Sequence, residues 1–163
     1  MKLLWISAAI AFVLDQVSKY LVIHVMGVSQ FKPVDVLPPI LNFRYGENRG
    51  INFGLLGEGT SVWLLIAIAC AICASVLWWM WRHPQGAIAR ICAGMLIGGA
   101  LANVLDRVLY GFVLDFLNMS CCGIDNPFVF NVADIFIFAG AIGLVFFGKE
   151  GGSGKTGARK KGA

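Results

Sequence analysis

Asp115 and Asp134 stand at the edges of long apolar stretches, where a carboxylate is costly and therefore informative. Asp115 follows Gly111-Phe112-Val113-Leu114, and Asp134 follows Phe130-Asn131-Val132-Ala133. Two carboxylates brought together from the ends of neighbouring elements can share one proton. One then takes a proton from water while the other gives one to a carbonyl. This is general acid–base hydrolysis of the aspartic-protease type, carried out beside a membrane. It requires a topology that puts both groups at one rim.

Two further polar clusters interrupt apolar stretches, and each costs a few kcal/mol in mid-bilayer unless it has a partner or a purpose. The first is Asp15-Gln16-Val17-Ser18-Lys19. Asp15 and Lys19 are four residues apart, on one helix face, and can pair; the spacing suits a salt bridge that pins the helix as well as it suits chemistry. The second is Asn103-Val104-Leu105-Asp106-Arg107. Asn103 and Arg107 share a face, and Arg107 offers five donors that can hold carboxylates or carbonyls. A structural network and a substrate-positioning role both fit. Helix capping competes as an explanation of Asn131 and Asp134.

The elements that must position these residues are membrane spans. The chain has 163 residues, 58% hydrophobic and only 13% charged, about half the charged share of a soluble domain. Its mean hydropathy is +0.78. Four stretches approach the roughly 20 apolar residues that a span needs: Leu3 to Val25, Ser61 to Trp81, Ile88 to Leu109, and Val132 to Phe147. The first starts Met-Lys, but Asp15, Gln16 and Lys19 interrupt it and no small-residue cleavage site follows, so a retained span is expected. If the N-terminus is cytoplasmic, eight Lys and Arg fall inside (Lys2, Arg82, Arg90, Lys149, Lys155, Arg159, Lys160, Lys161) against Lys32, Arg44 and Arg49 outside. Both termini are therefore expected in the cytoplasm, with Asp115, Asp134 and the two polar clusters in the outer half.

The fold class is thus an α-helical integral membrane protein, a four-transmembrane-helix bundle with a small extracytoplasmic β-containing loop region. In the first outer loop, Ile40 to Tyr45 reads as a short strand, Gly46 to Gly50 as a turn and Ile51 to Phe53 as a returning strand. The second outer loop, Tyr110 to Asn131, holds Asp115 and Asp125. Residues 1–148 form the membrane domain, and 149–163 read as a Gly-rich, basic, disordered tail. The tail accounts for much of the net charge of +4, so nucleic acid is not the expected partner. Gly152-Ser153-Gly154-Lys155-Thr156 lacks the first glycine of a phosphate loop. Cys70, Cys73 and Cys92 read as membrane packing, whereas the adjacent Cys121 and Cys122 leave thiols or another partner open. His24 and His83 lie near opposite faces, so neither metal nor cofactor is expected.

On the residues alone three readings stand: an intramembrane aspartic peptidase, a small proton-coupled transporter, and a structural subunit. A transporter needs polar groups across both leaflets, yet the second span and the inner half of the third are almost wholly apolar. A structural subunit predicts that Asp→Asn changes touch stability but no reaction.

Four blocks, in this order, resemble the lipoprotein signal peptidase (signal peptidase II) family: Asp15-Gln-Val-Ser-Lys19; Asn48-Arg-Gly50-Ile-Asn-Phe53; Gly98 through Asn103, Asp106 and Arg107 to Asp115-Phe116; and Phe130-Asn131-Val-Ala133-Asp134. The resemblance covers nearly everything before Gly148. It implies an aspartic endopeptidase of the bacterial inner membrane that removes the signal peptide of prolipoproteins, cutting before a cysteine that already carries diacylglyceryl. The implied catalytic pair is Asp115 and Asp134, and not Asp106. Asn103, Asp106, Arg107 and Asn131 fall around the pair, Asp15 and Lys19 in the first block, and Asn48 and Gly50 in the outer loop that covers substrate. The implied partners are a lipid-modified prolipoprotein and membrane lipid, with the chain a monomer. One departure is visible: the family's second block has Ala where this chain has Asn52.

Overall fold

The computed structural model describes residues 1–38, 40–50, 61–120 and 126–148. The first apolar stretch forms helix α1, Lys2–Lys19, and continues as a π-helical turn, Tyr20–Val25. Strands β1, Val34–Leu37, and β2, Leu41–Asn48, follow. Then come α2, Val62–Arg82; α3, Ala87–Tyr110; β3, Val113–Asn118; and α4, Val132–Phe147. Three helical stretches, Lys2–Val25, Val62–Arg82 and Ala87–Tyr110, are long and apolar enough to cross a membrane; α4 is apolar but has 16 residues.

Helix α3 is the axis of the bundle and packs against α1, α2 and α4. It can do so because small residues let backbones meet. A Cβ at Gly98 would strike the Ala8 carbonyl of α1, and one at Gly99 would lie 2.6 Å from the Ala133 carbonyl of α4. Leu4, Cys73, Met80, Ala93, Leu96, Ile97 and Ala100 fill the bundle interior. By contrast Trp5, Ile10, Val13, Val17, Trp63, Ile72 and Trp78 are exposed apolar side chains on α1 and α2, a surface suited to acyl chains and not to water.

The β layer differs from the sequence reading in a way that matters. The sheet has three antiparallel strands in the order β1-β2-β3. Its third strand comes from the segment between α3 and α4, and Asp115 sits on it. Gly46, Glu47 and Asn48, expected in a turn, continue β2, because β3 supplies the hydrogen-bonding partner that a two-stranded reading lacked. The expected strand Ile51 to Phe53, Asn52, Cys121-Cys122, Asp125 and the tail from 149 lie outside the described residues. Phe43 and Phe116 meet edge-on with centroids 5.6 Å apart, and Phe116 packs with Val22 and Val28, fixing the sheet to the end of the first helix.

Candidate active site

Each aspartate is delivered by a defined local structure. Helix α3 ends because Gly111 adopts φ 79°, its N–H returning to the Arg107 carbonyl at 3.0 Å. The chain then enters β3, which pairs Asp115 with Gly46 of β2. Asp134 is the third residue of α4. There Asn131 and Asp134 make a reciprocal capping box: Asp134 N–H donates to Asn131 Oδ1 at 2.9 Å, and Asn131 N–H to Asp134 Oδ2 at 3.2 Å. Capping is therefore real, and it orients the aspartate without consuming it.

Two buried amides link the carboxylates. Asn131 Nδ2 donates to Asp115 Oδ1 at 2.6 Å and to Asn103 Oδ1 at 3.2 Å. Asn103 Nδ2 donates to Asp134 Oδ1 at 3.0 Å. The sequence Asp115–Asn131–Asn103–Asp134 thus spans β3, α4 and α3 in three hydrogen bonds. Burial, and next the charge of Asp134, push the Asp115 carboxyl up from 3.8 to about 7, while hydrogen bonds from Asn131 and Asn48 and the charge of Lys19 pull the other way. Asp115 therefore keeps its proton up to near neutrality.

The remaining predicted residues gather on the same centre. Asn48, at the end of β2, bonds Asp115, and its Oδ1 accepts from Gly50 N–H at 3.3 Å, which ties the chain just after β2 to the carboxylate. Arg107 Nη1 donates to the Asn103 carbonyl at 3.4 Å and feels the charges of Asp134, Asp115 and Asp106. Lys19 Nζ lies 2.7 Å from both Asp15 and Asp106 and 3.3 Å from Asn103 Oδ1. Two separate clefts are lined in part by these groups. One, about 140 Å³, is lined by Gly46, Asn48, Asp115 and Pro127–Val129. The other, about 450 Å³ and apolar, runs between α2, α3 and α4 past Leu65, Ile72, Leu96 and Ile137 and reaches Asn103 and Arg107.

Sequence reasoning missed Gln16 and Gly46 as site residues. Gln16 Nε2 donates to Asp106 Oδ1 at 2.9 Å; its polarity in an apolar span was the available signal. Gly46 faces Asp115, where a Cβ would sit 3.6 Å from that residue's Cβ and 3.3 Å from Val129; nothing in the sequence marks it. Among the described residues no group of three or more His, Cys, Asp or Glu could hold a metal ion.

A family model described as signal peptidase (SPase) II matches residues 7–148. The lipoprotein signal peptidase of Alteromonas mediterranea is 39% identical over 148 residues, 89% of this chain and 79% of that protein. That of Methylocella silvestris is 38% identical over 142 residues, 85% of this chain and 81% of that protein. A solved bacterial membrane enzyme superposes with TM-score 0.74 at 28% identity, covering 86% of this chain and 88% of its own.

Proposed function

Because the chain belongs to the signal peptidase II family, whose work is removal of signal peptides from prolipoproteins, we propose that Asp115 and Asp134 are its catalytic dyad. The observation that carries this reading is the amide-linked pair, with one carboxyl raised to about 7. The ionised member takes a proton from a water between the two, and that water's oxygen bonds to the scissile carbonyl carbon. The other member gives its proton to the carbonyl oxygen, and collapse of the tetrahedral intermediate breaks the C–N bond with proton return to the leaving amine.

The substrate in this reading is a prolipoprotein cut before its diacylglyceryl-modified cysteine. The apolar cleft suits the acyl chains, because it opens along lipid-facing helices and ends at Asn103 and Arg107. The smaller cleft suits the peptide, which can run beside β2 and Asn48. All four helices cross the inner membrane with both termini cytoplasmic and the dyad at the outer face, as the distribution of Lys and Arg favours. The chain works as a monomer, without metal or cofactor.

The test is cleavage of a diacylglyceryl-modified prolipoprotein by detergent-purified wild type, Asp115→Asn and Asp134→Asn. Cleavage by the wild type and loss of at least about a thousandfold in both folded variants is the expected result. Near-normal cleavage by either variant would remove that residue from the chemistry.

A further inference from the structure

Behind the proposed dyad, Asp15, Lys19 and Asp106 bond to the backbone at two telling places. Asp15 Oδ1 accepts from Ala133 N–H at 2.8 Å, and Asp106 Oδ2 accepts from Leu114 N–H at 3.1 Å. Ala133 and Leu114 immediately precede Asp134 and Asp115. Lys19 Nζ stands 2.7 Å from each of the two gripping carboxylates. One ammonium on α1 therefore joins the strand that carries one aspartate to the helix that carries the other.

We propose that Asp15, Lys19 and Asp106 form a clamp that sets the separation of the two catalytic carboxylates, acting as positioning residues and not as substrate ligands. This rests on the dyad reading given above. Lys19 is 3% exposed and its three donors are filled by Asp15, Asp106 and Asn103, so no N–H is left for a substrate. Asp15 and Asp106, 0% and 1% exposed, are equally enclosed. Gln16 Nε2 adds a donor to Asp106 Oδ1 and, at 3.3 Å, to Asp15 Oδ2, which helps satisfy two carboxylates against one ammonium. Beyond the clamp, the backbone bridge between Leu117 and Phe130 joins the same two segments at a second place. Two attachments fix an orientation where one would leave a hinge. The buried charges are costly, and their return is a fixed geometry, because a displacement of about 1 Å at the reacting groups costs about 100-fold in rate.

The experiment compares Asp106→Ala and Asp15→Ala with Asp106→Asn and Asp15→Asn, which keep an acceptor for the backbone amide. Prolipoprotein cleavage and amide hydrogen exchange are both read on the intact chain in detergent. The clamp predicts that Asp106→Ala speeds exchange in residues 112–118, and Asp15→Ala in residues 131–136, by about tenfold or more while α2 is unchanged. It also predicts a fall in kcat of about 100-fold with KM held within about threefold, and recovery of most of that loss in the Asn variants. Folded Ala variants with wild-type kcat and wild-type local exchange would overturn the clamp. So would exchange that rises equally in every helix, or Asn variants no better than their Ala counterparts. If the Ala variants do not fold, Gln16→Leu, which removes a donor from both carboxylates, decides by the same exchange: faster exchange in 112–118, 131–136 or both, with α2 unchanged, supports the clamp, and an unchanged profile overturns it. Parallel Asp115→Asn separates the two ideas, since loss of the dyad reading leaves the exchange result standing.

Discussion

Asp115 differs from an ordinary surface carboxylate in being 3% exposed, hung on a strand and faced by a second negative charge. Its proton is therefore lost only near pH 7, and kcat/KM should fall on an alkaline limb near that value; the pH–rate profile of purified enzyme checks this. Stability follows the same group with a definite sign. A carboxyl whose folded pKa exceeds its unfolded value takes up a proton on folding, so the native state weakens as pH rises from about 4 to about 7. Asp115→Asn, which keeps the acceptor for Asn131, should raise Tm above pH 7, and the gain should vanish near pH 4. Its ceiling is roughly 4 kcal/mol, because every tenfold change in proton affinity is worth about 1.4 kcal/mol. Much of the residue pattern was legible in advance because lipid penalises Asp15, Lys19, Asn103, Asp106 and Arg107, and so makes them conspicuous. The structure does bring these groups together with Asn131, Asp115 and Asp134. Which amide each carboxylate would grip was not legible, since backbone partners leave no mark on residue type.

Helices were easier to foresee than strands, for a physical reason. The stretches ending in Lys19, Arg82 and Tyr110 are long and mostly apolar, whereas β3 is six residues whose pairing depends on β2 arriving beside it. Neither the continuation of β2 through Gly46 nor the π-helical turn after Lys19 could be read from local pattern. The contact between α3 and α4 is where an element governs the site. At Gly99 the two backbones approach too closely for a side chain, and Asn103, one turn on, reaches Asp134. Gly99→Val should wedge the helices apart, cost about 2 kcal/mol or more of stability, and reduce kcat by about 100-fold. Thermal unfolding and cleavage assays on one preparation measure both. A wild-type kcat in a folded Gly99→Val protein would show that this packing does not hold the aspartates in place.

As a whole, the molecule is a membrane protease whose helices differ in length. Helix α4 ends at Phe147, giving about 24 Å of rise over its 16 residues, against about 30 Å of hydrocarbon in an ordinary bilayer. Vesicles of shorter-chain lipid should therefore support faster cleavage than vesicles of long-chain lipid at equal protein incorporation, measured with one reconstituted preparation. The buried ammonium has a consequence for the making of the protein. Helix α1 leaves the ribosome before α3 exists, so Lys19 must enter the bilayer with only Asp15 to neutralise it. That early ion pair lowers the barrier to insertion, but the carboxylate of Asp106 and the amide of Asn103 complete the set only when the third span arrives. Synthesis order thus leaves Lys19 short of two of its three partners until α3 is made.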